Sequence, residues 1–320
     1  MSDVLHLMQR KNISCEELVV VKIVKIKGGL GNQLFQYSFA MLLQTMTNEN
    51  VKIDMSSYNN YIDDGIRRPR LLKCNISLDI ADIEEIQKKR KFQIKNSPLK
   101  TGDKIKIMLE RALNREYYFE TDRGYRNPKK LLKYSYFDGY WQSWRYLEPI
   151  EKLIRKELLP NYQLHINTLN LQETMQKENS VFIGIRRGDY LLDQKHYGSF
   201  GEQYYNDAIE ILLKAIDNPV FYIFSNDIKW VKQNLDFRGE KVIYREKEAI
   251  VDDFEELQLM SSCHHAIIGN STFHWWGAWL INSPDKIIIA PKKWFFDNKP
   301  IDIIPPTWIR IGEKDINYDY

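Results

Sequence analysis

With 320 residues, 43% of them hydrophobic and 28% charged, the chain has the composition of a folded globular protein rather than a disordered one, with length for two domains or one large one. Its 46 Lys and Arg against 43 Asp and Glu leave a formal charge of only +3, too small for a nucleic-acid footprint but compatible with a local basic pocket. Cys15, Cys74 and Cys263 are scattered and form no CxxC pair, which argues against a disulfide framework or a zinc site and for a reducing cytoplasm.

Charged residues interrupt Met1–Glu17, so no secretory signal is read there. No segment approaches the roughly 20 apolar residues that span a bilayer. Val19–Lys27, "VVVKIVKIK", is β-branched and predicts a strand. "GGLGNQ" follows, and then Leu34, Phe35, Ser38, Phe39, Leu42, Leu43 and Met46 recur at helical spacing. "VKID" predicts a second strand ending at Asp54, which completes a β-loop-α-β unit. Residues 60–135 are rich in Lys and Arg and predict helices and loops that could grip an acceptor. Aromatic residues crowd around Gly139 in "SYFDGYWQSWRYLEP". A helix is expected over 149–158, ended by Pro160, and the polar stretch 160–180 reads as a connector.

A second alternation of strands and helices then begins. "VFIGI" (181–185), "VFYIF" (220–224), "KVIY" (241–244), "AIIGN" and "KIIIAP" predict strands. The stripe Tyr205, Ala208, Ile209, Leu212, Leu213 and Ile216 predicts a helix, as do "DFEELQLMSSC" and "STFHWWGAWLI". The fold class expected is α/β, with two Rossmann-like domains, 1–160 and 161–320, facing across a cleft. Ligands of open α/β sheets bind beyond the carboxyl ends of the strands. Gly28–Gln33, Arg186–Tyr190, Ser225–Asp227 and Asn270–Thr272 all fall there.

Each of these stretches has two readings when taken alone. Arg186 and Arg187 suit phosphate recognition, because a guanidinium stays charged and offers a fixed fork of donors; adjacent charges after a strand can equally be a surface salt bridge. Gly29, Gly31, Asn32 and Gln33 can present backbone N–H groups to an anion or simply form a capped turn. With Asp54 they also resemble part of a dinucleotide fingerprint, but Leu34 stands where the third glycine belongs, which weakens an NAD-dependent oxidoreductase reading. Ser271 and Thr272 can hold a phosphate or cap a helix. Tyr140, Trp141 and Trp144 leave a non-catalytic glycan-binding module open.

Together the pieces are more specific. "KGGLGNQLFQYSFA" (27–40), "IRRGDY" (185–190), "FSND" (224–227) and "LMSSCHHAIIGNSTFHWWGAWL" (259–280) occur in this order, with "PKKWF" and "TWIRI" near the end. The set resembles the bacterial α-1,2-fucosyltransferases of glycosyltransferase family 11. The resemblance implies a GT-B arrangement and a metal-independent, inverting transfer of L-fucose from GDP-β-L-fucose to the 2-hydroxyl of a terminal galactose, with no cofactor. It implies that Arg186 offsets charge on the leaving diphosphate and Arg187 supports it, with Asp189 a candidate base. Ser225, Asp227, Glu256, Asn270, Ser271 and Thr272 would bind the donor, Asp227 at the ribose and Glu256 at the guanine N–H edge. Gly29, Gly31, Asn32 and Gln33 would close over it from the other domain. The implied partner is a galactose-terminated glycan and not nucleic acid; the implied place is the cytoplasm, with peripheral contact to a membrane carrying lipid-linked acceptors. Two positions depart from the family pattern. Gly184 stands where it has histidine, which raises a different GDP-sugar as donor, and His274 stands where it has serine.

Overall fold

The computed structural model describes residues 21–58, 68–92, 101–187, 200–245, 252–295 and 301–312. β1 (Lys22–Lys25), α1 (Leu30–Thr47) and β2 (Val51–Asp54) form the expected first unit. From Leu30 to Leu43 every residue of α1 but Asn32 is buried, so the helix runs through the interior rather than over it. The basic middle contributes α2 (Ile83–Lys89), α3 (Thr101–Leu113) and two strands that periodicity does not announce, β3 (Tyr117–Phe119) and β4 (Tyr136–Asp138). Three residues are too few to display an alternation. The four strands make an all-parallel sheet in the order β2-β1-β4-β3.

α4 (Glu151–Glu157) ends before Pro160, as expected. The expected connector is instead largely a helix, α5 (Ile166–Lys177). Its partners are polar, which hid it. Thr168 donates to the carboxylate of Glu255, Gln172 donates to Gln258 O and Ser262 Oγ at 3.2 and 2.9 Å, and Met175 is its one fully covered apolar side chain.

The second series is β5 (Ser180–Ile185), α6 (Glu202–Ala215), β6 (Val220–Ser225), α7 (Ile228–Asn234), β7 (Lys241–Tyr244), α8 (Asp253–Ser261), β8 (His265–Ile268), α9 (Thr272–Leu280), β9 (Ile288–Pro291) and β10 (Ile309–Ile311). Its strands form a six-stranded, all-parallel sheet in the order β10-β9-β8-β5-β6-β7. Both faces are covered, as an all-parallel sheet requires. Along β5, Val181, Ile183 and Ile185 pack with Tyr204, Tyr205 and Leu212 of α6. Phe182 faces the opposite way, into the core that holds Phe254 of α8 and the tryptophans of α9.

The GT-B-like α/β expectation holds, with two parallel sheets and their helices. One continuous apolar cluster joins them: the Phe35 ring of α1 lies 4.6 Å from Trp275 and 5.1 Å from Trp276 of α9. Ion pairs tie the halves as well, Arg70 Nε to Asp253 Oδ1 at 2.6 Å and Lys73 to Asp252. Arg155 of α4 donates to Trp279 O and Leu280 O at 2.8 and 2.9 Å, satisfying carbonyls at the end of α9.

Candidate active site

Each sheet has a point where the strand order reverses. β1 is flanked by β2 and β4, and β5 by β6 and β8. Crevices open at such points beyond the strands' carboxyl ends. The loop after β1 and the loop after β8 meet there. Asn32 Oδ1 accepts from Gln142 Nε2 at 2.8 Å and from Thr272 Oγ1 at 3.2 Å, so one side chain links the loops after β1, β4 and β8. Gly31 makes this approach feasible: a Cβ there would lie 2.6 Å from Phe273 N and 2.7 Å from Thr272 O. The N-termini of α1 and α9 therefore touch backbone to backbone. Gly29, the N-cap of α1, is the opposite case. A Cβ on it would meet nothing within 4 Å, so the protein's own packing does not demand glycine there.

Arg186 and Arg187 leave β5 on opposite faces, as successive residues of extended chain do. Arg187 is held firmly. Its guanidinium carbon lies 3.9 Å from the Trp230 ring centroid, its Nε 3.5 Å from Asp227 Oδ2, and its backbone N–H donates to Asn226 Oδ1 at 2.9 Å. Asp227 also caps α7 by accepting from Trp230 N at 3.0 Å, and Ser225 Oγ accepts from Asp227 N at 2.9 Å. Ser225, Asp227 and Arg187 thus form a brace around the strand end.

Arg186 faces the other way, toward α8 and α9. Glu256 of α8 feels its charge: burial and Asp253 push the Glu256 carboxyl up to about 7, against the pull of Arg245 and Arg186. His274 of α9 feels it too: burial, then Arg186, drive its imidazole down to about 3, so it is neutral. Arg186, Arg245, Glu256 and His274 therefore share one region, which Asp253 extends to Arg70. Sequence reasoning missed Arg70, Arg245 and the placement of His274. Arg245 carried a signal, since like Arg186 it is the first residue past an apolar strand. Arg70 carried none, because only the fold brings it to α8.

His274 also explains the departure at Gly184. A Cβ at 184 would lie 2.6 Å from Nδ1 and 2.8 Å from Cβ of His274, and closer still to Cγ. The imidazole sits where a side chain at 184 would be. It is 5% exposed, and its Nδ1 is buried without a hydrogen-bond partner.

The remaining predicted residues are placed as follows. Gln33 is fully buried, donating to Gly28 O and Arg68 O at 2.9 and 2.7 Å and accepting from Leu71 N at 2.9 Å, so it braces the chain around residues 68–71. Asn270 donates to Trp294 O at 3.2 Å. Ser271 is the N-cap of α9 but makes no side-chain capping bond. Asp189 lies outside the described residues. Asp54 is wholly buried, accepting from Tyr136 OH and from Ser56 N at 2.8 Å, so it offers nothing to a ribose and the dinucleotide reading fails. Beyond the carboxyl ends of the first sheet's strands, Lys27 pairs with Asp138, and Glu120 Oε2 accepts from Tyr140 N and Trp141 N at 2.6 and 3.2 Å. Among the described residues no three His, Cys, Asp or Glu gather as a metal site would, and no helix is long and apolar enough to cross a membrane.

The family model of glycosyl transferase family 11 matches residues 11–312. The chain belongs to this family. An α-1,2-colitosyltransferase of Escherichia coli is 32% identical over 308 residues, covering 91% of this chain and 99% of that one. The O-antigen biosynthesis glycosyltransferase WbnK of Escherichia coli is 29% identical over 89% of this chain and 99% of its own. The human galactoside α-(1,2)-fucosyltransferase 1 is 28% identical over 54% of this chain and 52% of its own. Among solved structures, the fucosyltransferase NodZ from Bradyrhizobium matches with a TM-score of 0.46 at 13% identity, over 80% of this chain and 92% of that one. The protein is a glycosyltransferase.

Proposed function

We propose that the protein transfers L-fucose from GDP-β-L-fucose, with inversion, to the 2-hydroxyl of a terminal galactose in a surface glycan or a galactoside. The observation that carries this reading is the gathering of Arg186, Arg245 and the N-terminus of α9 at one switch point, around the ionisable Glu256. As the C1–O bond of a nucleoside-diphosphate sugar breaks, charge grows on the leaving diphosphate. A fixed guanidinium and the first N–H groups of a helix stabilise that charge without a metal. Arg186 takes this role, Arg187 holds the strand end behind it, and Glu256 accepts from the guanine N–H edge. The open space before Gly29 is where the donor sugar or diphosphate lies against the other half. Asp189 is the proposed base for the acceptor proton. Residues 1–160 would form the acceptor side and 161–320 the donor side, in the cytoplasm and against a membrane that carries the acceptor on lipid.

Arg186→Ala tests the reading: turnover should fall by about 10²–10³, the loss that follows removal of one such charge-stabilising donor. Circular dichroism and the melting temperature separate this loss from a loss of fold. Turnover like that of the wild type would remove Arg186 from the mechanism. A second donor is favoured by one finding, the colitosyltransferase relative that matches nearly end to end. Colitose is fucose without its 3-hydroxyl. GDP-fucose and GDP-colitose offered side by side decide between them, because a site built to bond that hydroxyl rejects the analogue lacking it.

A further inference from the structure

α3 is amphipathic in the reverse of the usual sense. Ile105, Met108 and Leu113 are 51%, 62% and 53% exposed. At 100° per residue Ile105, Met108, Leu109 and Ala112 share one side, with Leu113 at its border. That side faces outward. The helix is pinned by a polar residue on the opposite side: Glu110, fully buried, accepts from Lys91 N and Phe92 N at 2.8 and 2.7 Å and from Asn114 Nδ2 at 2.6 Å. A helix that serves a protein core turns its apolar stripe inward.

The charges around the outward stripe are of one sign. Lys104 and Arg111 border it on one edge and Lys106 on the other, all exposed, and no acidic residue falls on that side of the helix. An apolar face rimmed on both edges by cations fits the headgroup region of a bilayer that contains anionic lipid. The apolar side chains enter the acyl boundary and the lysines reach the phosphates. A second copy of the chain fits poorly, because stacking two such faces sets Lys and Arg rims against each other.

We propose that α3 docks the protein on an anionic lipid surface, with Ile105, Met108 and Leu113 inserted and Lys104, Lys106 and Arg111 on the headgroups. The proposal deepens the reading of a membrane-borne acceptor, and its test does not depend on the donor, the acceptor or the transfer itself. The full chain is floated with phosphatidylcholine vesicles, with and without phosphatidylglycerol. Binding is expected only with phosphatidylglycerol, and raising the salt should release it. The double variant Ile105→Ser/Met108→Ser and the charge reversal Lys104→Glu should each bind about tenfold more weakly or worse, with the melting temperature unchanged because these side chains are exposed. Transfer to a soluble acceptor should be unaffected. Three results overturn the proposal: no binding of the wild type to anionic vesicles, binding that both variants keep, or a shift of the wild type to dimer that both variants abolish in place of lipid binding.

Discussion

Gly184 and His274 should behave as one unit. A methyl at 184 would be 2.6 Å from Nδ1 and 2.8 Å from Cβ of His274, where ordinary contact begins near 3.4 Å. The ring cannot simply swing aside, because its own Cβ is part of the clash. Gly184→Ala should therefore cost about 1–3 kcal/mol, the usual penalty for overfilling a packed site. His274→Ala removes Cγ and Nδ1 and leaves only the Cβ contact. In that background the same Gly184→Ala change should cost less than about half as much, a coupling of roughly 1 kcal/mol or more. Urea titration of the four proteins measures it, with the midpoint moving while the slope stays constant. Additivity within about 0.5 kcal/mol would refute the reasoning, since independent sites behave that way. A further readout follows from register. Arg186 lies two residues on, on the same face, so Gly184→Ala should also impair turnover, and His274→Ala should return part of it if the donor does not use the imidazole.

Glu256 and His274 give opposite pH dependences. The Glu256 carboxyl is raised to about 7, so between about pH 4.5 and 7 the folded chain keeps a proton that the unfolded chain has released; stability falls as pH rises through that window. The His274 imidazole is lowered to about 3, so below about pH 6.5 the unfolded chain gains a proton that the folded one refuses; stability falls as pH drops. Glu256→Gln should abolish the first trend, on the order of 3 kcal/mol by pH 8, and leave melting temperatures that rise toward pH 6.5 and then level. A variant with the wild-type profile would show that Glu256 is not the group responsible. In the other sheet, burial raises the Asp138 carboxyl but Lys27 and Lys25 outweigh it and hold it below the usual range. Asp138→Asn removes the buried carboxylate that both Lys27 and Lys25 face, and should cost about 3–5 kcal/mol in denaturant titration; a loss under about 1 kcal/mol would contradict that ion-pair cluster.

The second sheet was legible because its strands are buried on both faces and read as apolar runs, "VFIGI" and "VFYIF" among them. The first sheet was legible only where a long buried helix announced it. β3 and β4 are three residues long and lie among tyrosines and lysines, so no period survives in them. α5 was hidden for a different reason: it docks on α8 through Thr168 and Gln172, and pattern reading recognises apolar contacts alone. In the site, the positions of Arg186, Arg187 and the Gly31 turn were readable because strand ends and glycines mark them. Which arginine faces α8 was not readable from the pattern of residues, and only the family resemblance told the two apart. That depends on which face of β5 is shared with α8, a fact of tertiary packing. Asp54 and Gln33 show the converse, polar residues at the right place in the chain whose side chains the fold turns inward.

The two departures from the family pattern are then one departure. A histidine at 184 together with His274 would overfill the space between β5 and α9, since even a methyl at 184 does. Glycine at 184 with serine at 274 would leave a void about the size of an imidazole, at a cost of a few kcal/mol. Gly184 with His274 fills it. The imidazole thus reaches the same region from α9 rather than from β5, two positions before Arg186 in one case and on the facing helix in the other. A ring carried by the helix thus stays beside the strand end that bears Arg186, and its bulk there belongs to α9 rather than to β5.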